Sequence, residues 1–242
     1  MDVSVRMDSE EVKMKKIPTL FKRVFTADHK KTITEEVTPG CECVLRGECI
    51  ATVKWDGACC AIINGEIYKR YDAKIGKDGK RKSPPVGAIP CEPEPDPITG
   101  HWPHWVKCDK EKPEDKYFLE ALDFKDNPLF INPAQYYTQN MSEGWDLNVL
   151  PDGTYEAIGV AWQGNPYNLQ TNRLIRHGGD LIPIQNLWDT ELPIWQMSFK
   201  SIARYLSKME MEGIVFWKNG EPVCKIKRSD FGFPWPIKKG VN

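Results

Sequence analysis

The sequence predicts an α+β protein of antiparallel sheets flanked by helices, organised as one domain over its 242 residues. Three observations carry that prediction. Asn64-Gly65 separates the strand-like runs CCAII and EIYKR, and Asn219-Gly220 separates GIVFWK from EPVCKIK. Asn-Gly is the pair favoured by two-residue type I′ hairpin turns, because both turn residues need positive φ. Ahead of the second hairpin, Phe199, Ile202, Ala203, Leu206 and Met209 recur at helical spacing behind Ser198, a suitable N-cap, which predicts a helix over residues 198–210.

In chain order, residues 1–35 are polar and lysine-rich and read as an N-terminal arm or first strand, with a strand over residues 19–25. The stretch ATVKWDGACC then sets Lys54 between an apolar run and an Asp-Gly turn. Lysine is seldom buried without a partner, so this is either a solvated strand end or an amine put to use. The first hairpin pairs residues whose numbers sum to 129, which puts Arg70 opposite Cys59 and points Cys59 and Cys60 to opposite sheet faces.

The next stretch, KRYDAKIGKDGKRK, carries Lys69, Arg70, Lys74, Lys77, Lys80, Arg81 and Lys82 against Asp72 and Asp78. It reads as a solvated loop or as a local basic patch able to hold a nucleic-acid backbone. The proline-rich residues 83–105 read as a long ordered loop, since proline cannot donate to a sheet ladder. Residues 153–169 begin as a strand containing Glu156 and end in a Gly-Asn-Pro turn. The second hairpin, with pairs summing to 439, sets Glu212 opposite Lys227, Ile214 opposite Lys225 and Pro222 opposite Trp217. Period-two alternation then places Glu212, Lys225 and Lys227 on one face.

No apolar run reaches the roughly 18 residues a bilayer requires, and the N-terminus has no signal-peptide core, so a soluble, cytoplasmic protein with no membrane partner is expected. The net charge of -1 means that a nucleic-acid partner must be held by local patches. Eight cysteines fit a reducing compartment. Cys91, His101, His104 and Cys108 offer zinc ligands, but at a spacing that matches no standard finger.

From the residues alone, Lys54 beside an Asp-Gly turn, Glu156 on a strand, and Glu212 with Lys225 and Lys227 on a hairpin point to phosphate chemistry. Clustered lysines bind the anion, carboxylates hold a divalent metal, and crowded positive charge lowers the pKa of one lysine so that it can act as a nucleophile. Taken one at a time, each element reads equally well as a surface ion pair on a strand.

Taken in order, these elements resemble the motifs of the covalent nucleotidyltransferases, the ATP-dependent ligases and mRNA capping enzymes. Lys54-Trp55-Asp56-Gly57 resembles the KxDG nucleophile motif, and Arg70 the arginine that follows it. Tyr155-Glu156 is similar to the aromatic-acid third motif, Glu212-Gly213-Ile214-Val215 to EGxV, and Lys225-Ile226-Lys227 to KxK. KWDGACC, GNPY (164–167), HG (177–178) and EGIVFWKNGEPVCKIKRSDFGFPWPI (212–237) resemble the compact 5′-to-3′ RNA ligases of the vertebrate type, over residues 50–238. Val53 stands where some relatives carry a glutamate before the lysine, so adenine would be read mainly by backbone groups.

That resemblance implies an ATP-grasp-like nucleotidyltransferase domain acting as a monomer on RNA 5′-phosphate and 3′-hydroxyl ends, with ATP and Mg²⁺ or Mn²⁺ as cofactors. With the KxK motif at residues 225–227 of 242, no appended oligonucleotide-binding fold is expected. It further implies that Lys54 forms a lysine-AMP, Lys225 and Lys227 hold the α-phosphate, and Glu212, with Glu156, binds the metal. Glu156 and Arg70 would contact the ribose or phosphates, and Asp56 would serve the sealing step. Tyr155 or His177 would face adenine or else pack in the core, with Tyr167 near by, and Trp102 and Trp105 are candidates for stacking on unpaired bases. The alternatives are a capping-type guanylyltransferase and a non-catalytic RNA-binding module.

Overall fold

The computed structural model describes residues 12–28, 31–76, 79–122, 150–192 and 196–237. Strands β1 (Phe21–Phe25) and β2 (Lys31–Val37) are followed by the short helix α1 (Glu42–Leu45) and by β3 (Ile50–Lys54). Then come β4 (Ala58–Ile63), β5 (Glu66–Asp72), β6 (Ile89–Pro90), β7 (Pro103–Lys107), α2 (Lys116–Leu122), β8 (Gly153–Ile158) and β9 (Arg173–Arg176). Strand β10 (Leu181–Ile182), helix α3 (Phe199–Lys208) and strands β11 (Gly213–Lys218) and β12 (Glu221–Lys227) complete the order. The strands pair antiparallel within three sheets and the helices are short, so the class is α+β. Among the described residues, no helix is long and apolar enough to cross a membrane.

The chain divides into two compact units, one of residues 1–16 and 56–177 and the other of residues 17–55 and 178–242. The first holds a six-stranded sheet in the order β6-β7-β5-β4-β8-β9. Its central strand β4 reads ACCAII because both of its faces are covered. Cys60 and Ile62 pack with Ile67, Tyr155, Leu174 and Phe118 of α2, while Ala61 and Ile63 pack on the opposite face with Val12, Cys91 and Trp105. The hairpin turn has φ of 53° at Asn64 and 75° at Gly65, as type I′ demands, and pairs Ile63 with Glu66 and Cys60 with Lys69, the register read from the sequence.

The second unit holds a four-stranded sheet, β10-β3-β11-β12, and the separate β1-β2 pair. Leu20, Phe21, Ile214, Phe216 and Ile226 form its core with Ile202 and Leu206 of α3. Helix α3 starts on a reciprocal cap in which Ser198 Oγ accepts the Ser201 N–H at 3.1 Å and Ser201 Oγ accepts the Ser198 N–H at 2.9 Å. The helix ends at Lys208, so Met209 lies beyond it and is exposed.

Several expectations need correcting. The N-terminal strand begins at Phe21, and the proline-rich segment is not all loop: Ile89–Pro90 and Pro103–Lys107 are strands, with Pro103 at a strand start where no ladder donor is lost. In the second hairpin, Trp217 faces Pro222 as expected, but a bulge follows and Phe216 faces Cys224, so every later pair slips by one residue. Lys225 therefore faces Val215 and Lys227 faces Gly213, rather than Ile214 and Glu212. Residues 1–11 of the expected arm, Lys77 and Asp78 of the basic stretch, and residues 238–242 lie outside the described residues.

Candidate active site

The slip in register builds the site in the second unit. Gly213 is paired with Lys54 on one side and with Lys227 on the other, so one row across β3, β11 and β12 reads lysine, glycine, lysine. Cross-strand neighbours share a face, and the glycine lets the backbone of β12 approach closely. A Cβ at Gly213 would stand 2.2 Å from the Ile226 carbonyl oxygen and 2.9 Å from Lys227 Cα. Glu212, just before β11, turns its buried carboxylate into this row: Lys54 Nζ donates to Oε2 at 2.5 Å and Lys227 Nζ donates to Oε1. Lys54 Nζ also lies 3.4 Å from the Trp55 carbonyl oxygen.

One row further along, Thr52, Val215 and Lys225 are aligned on the same face. Burial, then the charges of Lys54, Lys227 and Arg23, hold the Lys225 amine down to a pKa of about 8. The expected crowding of lysines is thus seen at Lys225. The strand end is pinned by Asp230, which accepts the Lys227 N–H at 2.9 Å and pairs with Arg23 at 2.7 Å. Beyond it, the buried Arg228 guanidinium donates to the Leu206, Met209 and Pro234 carbonyl oxygens.

The remaining expected site residues belong to the first unit. Cys59 pairs with Glu156 across β4 and β8, and the Cys60–Lys69 pair sets Arg70 of β5 beside Cys59, which puts Arg70 and Glu156 on one sheet face. Glu156 Oε1 accepts the Gly57 N–H at 3.0 Å, and its Oε2 lies 3.0 Å from His177 Nε2. The carboxylate accepts from Nε2, and the Thr154 hydroxyl lies 3.0 Å from Nδ1. Gly57 is required: a Cβ there would meet the Ala157 carbonyl oxygen at 2.1 Å. The Asp56 N–H donates to the Tyr167 hydroxyl at 2.6 Å, and Gln163 Nε2 donates to the Gly57 carbonyl at 3.1 Å.

Residues 85–241, more than half of the chain, match the RNA ligase 1 family. The chain belongs to that family. No curated protein matches it. The matched stretch of this RNA ligase family member contains Tyr155, Glu156, His177, Glu212, Lys225 and Lys227, whereas Lys54, Asp56 and Arg70 precede it.

Against this RNA ligase 1 background, the two places named for adenine separate. Tyr155 is 1% exposed, packed in the core, with its hydroxyl donating to the Pro151 carbonyl oxygen at 2.6 Å. It adjoins Glu156 on a strand, so the two side chains take opposite faces and Tyr155 is a core residue. Trp105 is likewise fully buried, its indole N–H donating to the Val12 carbonyl oxygen, and offers no stacking surface. Trp102 is half-buried and edge-on to His104.

The basic stretch keeps less charge than its composition implies. Lys69 is paired with the buried Asp115, and Arg81 donates to the Ala73 and Gly100 carbonyl oxygens; Lys74, 4.0 Å from Asp72, is exposed, as are Lys80 and Lys82. The zinc candidates are spread out: His101 Nδ1 lies 2.7 Å from Asp72, His104 Nδ1 lies 2.9 Å from the Trp102 carbonyl, and Cys91 and Cys108 sit in different cores. Among the described residues, no group of three or more His, Cys, Asp or Glu is placed to hold a metal.

Sequence reasoning missed Asp180, whose carboxylate accepts the Trp55 indole N–H at 2.7 Å, and the anchoring roles of Asp230 and Arg228. The lysine cluster fits a phosphate. The Lys225 amine makes no hydrogen bond among the described residues, and Lys54 and Lys227 share one carboxylate, so the row carries an excess of positive charge. With two ammonium groups already on Glu212, a divalent cation fits here in company with phosphate oxygens and not alone.

Proposed function

We propose that this RNA ligase family member is ATP-dependent and joins RNA 5′-phosphate and 3′-hydroxyl ends through a lysine-AMP and an adenylylated RNA. The observation that supports this most is the row of Lys54, Gly213 and Lys227 closed by Glu212. Lys54 Nζ, its proton passing toward Glu212, attacks the α-phosphorus of ATP. A P–N bond forms and the bond to the β-phosphate breaks, releasing pyrophosphate.

An RNA 5′-phosphate oxygen then attacks the same phosphorus and returns the amine to Lys54. Finally the 3′-hydroxyl attacks the RNA 5′-phosphorus and AMP leaves. These are displacements at phosphorus, in which the protein's main task is positioning and charge neutralisation. Lys225 and Lys227 hold the α-phosphate, Arg70 and Glu156 contact ribose or phosphate, His177 lines the adenine face, and Asp56 serves sealing. A bound Mg²⁺ or Mn²⁺, with Glu212 and Glu156 as its carboxylate ligands, would supply charge stabilisation for the leaving pyrophosphate.

The test is incubation with Mg²⁺ and α-labelled ATP or GTP beside Lys54→Ala. Denaturation-resistant label from ATP, absent in the variant, is expected. Label from GTP alone would move the reading to a capping-type guanylyltransferase, and no label from either would leave an RNA-binding module.

A further inference from the structure

The β3 ladder stops at Lys54, the residue to which the proposed chemistry assigns the attack. From Trp55 to Gly57, between β3 and β4, no strand pairing fixes the course of the backbone, so something else has to hold the amine's direction. We infer that Asp180 is a positioning residue for Lys54, gripping the chain on both sides of it through its backbone carbonyl and its carboxylate. The inference rests on the reading of Lys54 as nucleophile.

Both grips are specific. The Val53 N–H donates to the Asp180 carbonyl oxygen at 2.9 Å, and the Trp55 indole N–H donates to Asp180 Oδ2 at 2.7 Å. Asp180 stands immediately before β10, whose Leu181 and Ile182 pair with Thr52 and Ala51, so its place beside Val53 is set by the ladder itself. Trp55 also contacts the amine directly, through its carbonyl oxygen 3.4 Å from Lys54 Nζ. Burial pushes the Asp180 carboxyl up and the indole N–H opposes that shift, so the tryptophan also supports the charged form of its own anchor.

The experiment is single-turnover labelling with α-labelled ATP for wild type, Asp180→Ala, Asp180→Asn, Trp55→Phe and the double variant Trp55→Phe/Asp180→Ala, recording rate at saturating ATP, half-saturating ATP and labelled fraction. Asp180→Ala is expected to slow labelling roughly 10- to 100-fold at saturating ATP, with half-saturating ATP unchanged. Asp180→Asn, which keeps a carbonyl acceptor for the indole, should recover most of that rate. The double variant should be no slower than Asp180→Ala, since both changes break the same bond.

A rate for Asp180→Ala within about twofold of wild type would overturn the inference. So would Asp180→Asn as slow as Asp180→Ala, or a loss seen only in half-saturating ATP or in the labelled fraction. Wild type that labels normally beside unaffected Asp180 variants removes this inference alone, whereas wild type without Lys54-dependent label removes the mechanism with it.

Discussion

Gly213 lies directly opposite Lys54 on the neighbouring strand. Its missing side chain is what lets β12 and the Glu212 carboxylate close on the lysine, because a Cβ would press on backbone atoms of Ile226 and Lys227 that cannot swing away. Gly213→Ala should cost about 1–3 kcal/mol, as overpacking does, measured by denaturant unfolding. It should also abolish label at Lys54 under conditions where the variant is still folded.

The pKa of Lys225 makes a prediction about stability that runs opposite to activity. In the unfolded chain the amine keeps its proton up to its ordinary value of 10.5, and in the fold only to about 8. The unfolded state therefore binds more protons between those values, and stability rises with pH across that window, the whole cost being present below it. Lys225→Met should be more stable than wild type at neutral pH, and the gap should shrink as pH climbs through 8 toward 10.5. Unfolding curves at several pH values check this, and a constant gap would contradict it. The same variant should lose nucleotide labelling.

Tyr155 and His177 are separated by one pair of variants. Tyr155→Phe breaks a buried hydrogen bond to Pro151 and should cost about 1 kcal/mol while leaving half-saturating ATP where it was. His177→Ala removes a ring that contacts Glu156 and Thr154 and should raise half-saturating ATP. Labelling against ATP concentration, with thermal melts, reads both.

These cases show which parts of the site were legible. The Asn-Gly turns and the order of charged residues are local features, and they located the hairpins and the residues worth testing. The bulge beside Pro222 was not visible, because it leaves the turn unchanged and slips the register only beyond Trp217. The opposed directions of Tyr155 and Glu156 were already implied by strand alternation and could have been read. Trp105 and Asp180 could not, since their partners lie 93 and 125 residues away and are set by the pairing of β7 and β10.

The basic stretch gives a prediction refined by its own hydrogen bonds. Arg81 holds two backbone carbonyls and its replacement would disturb the loop, so the RNA test belongs on Lys80→Glu with Lys82→Glu. If both lysines meet phosphates of single-stranded RNA, the slope of log affinity against log salt should fall by about 1.4, and strand joining should drop more than lysine labelling. Affinity measured over a salt series decides it.

The first unit draws its sheet from one continuous stretch, β4 through β9, but β3 has its sheet partners in β10 and β11. As the chain leaves the ribosome, the strand bearing Lys54 is made early and then waits, unpaired, while more than a hundred residues of another sheet are synthesised and can fold. The lysine acquires its glutamate only when β11 arrives and its second amine only with β12. A nascent or stalled chain thus carries Lys54 without Glu212 and Lys227, and the row is completed only as β11 and then β12 emerge, late in biosynthesis.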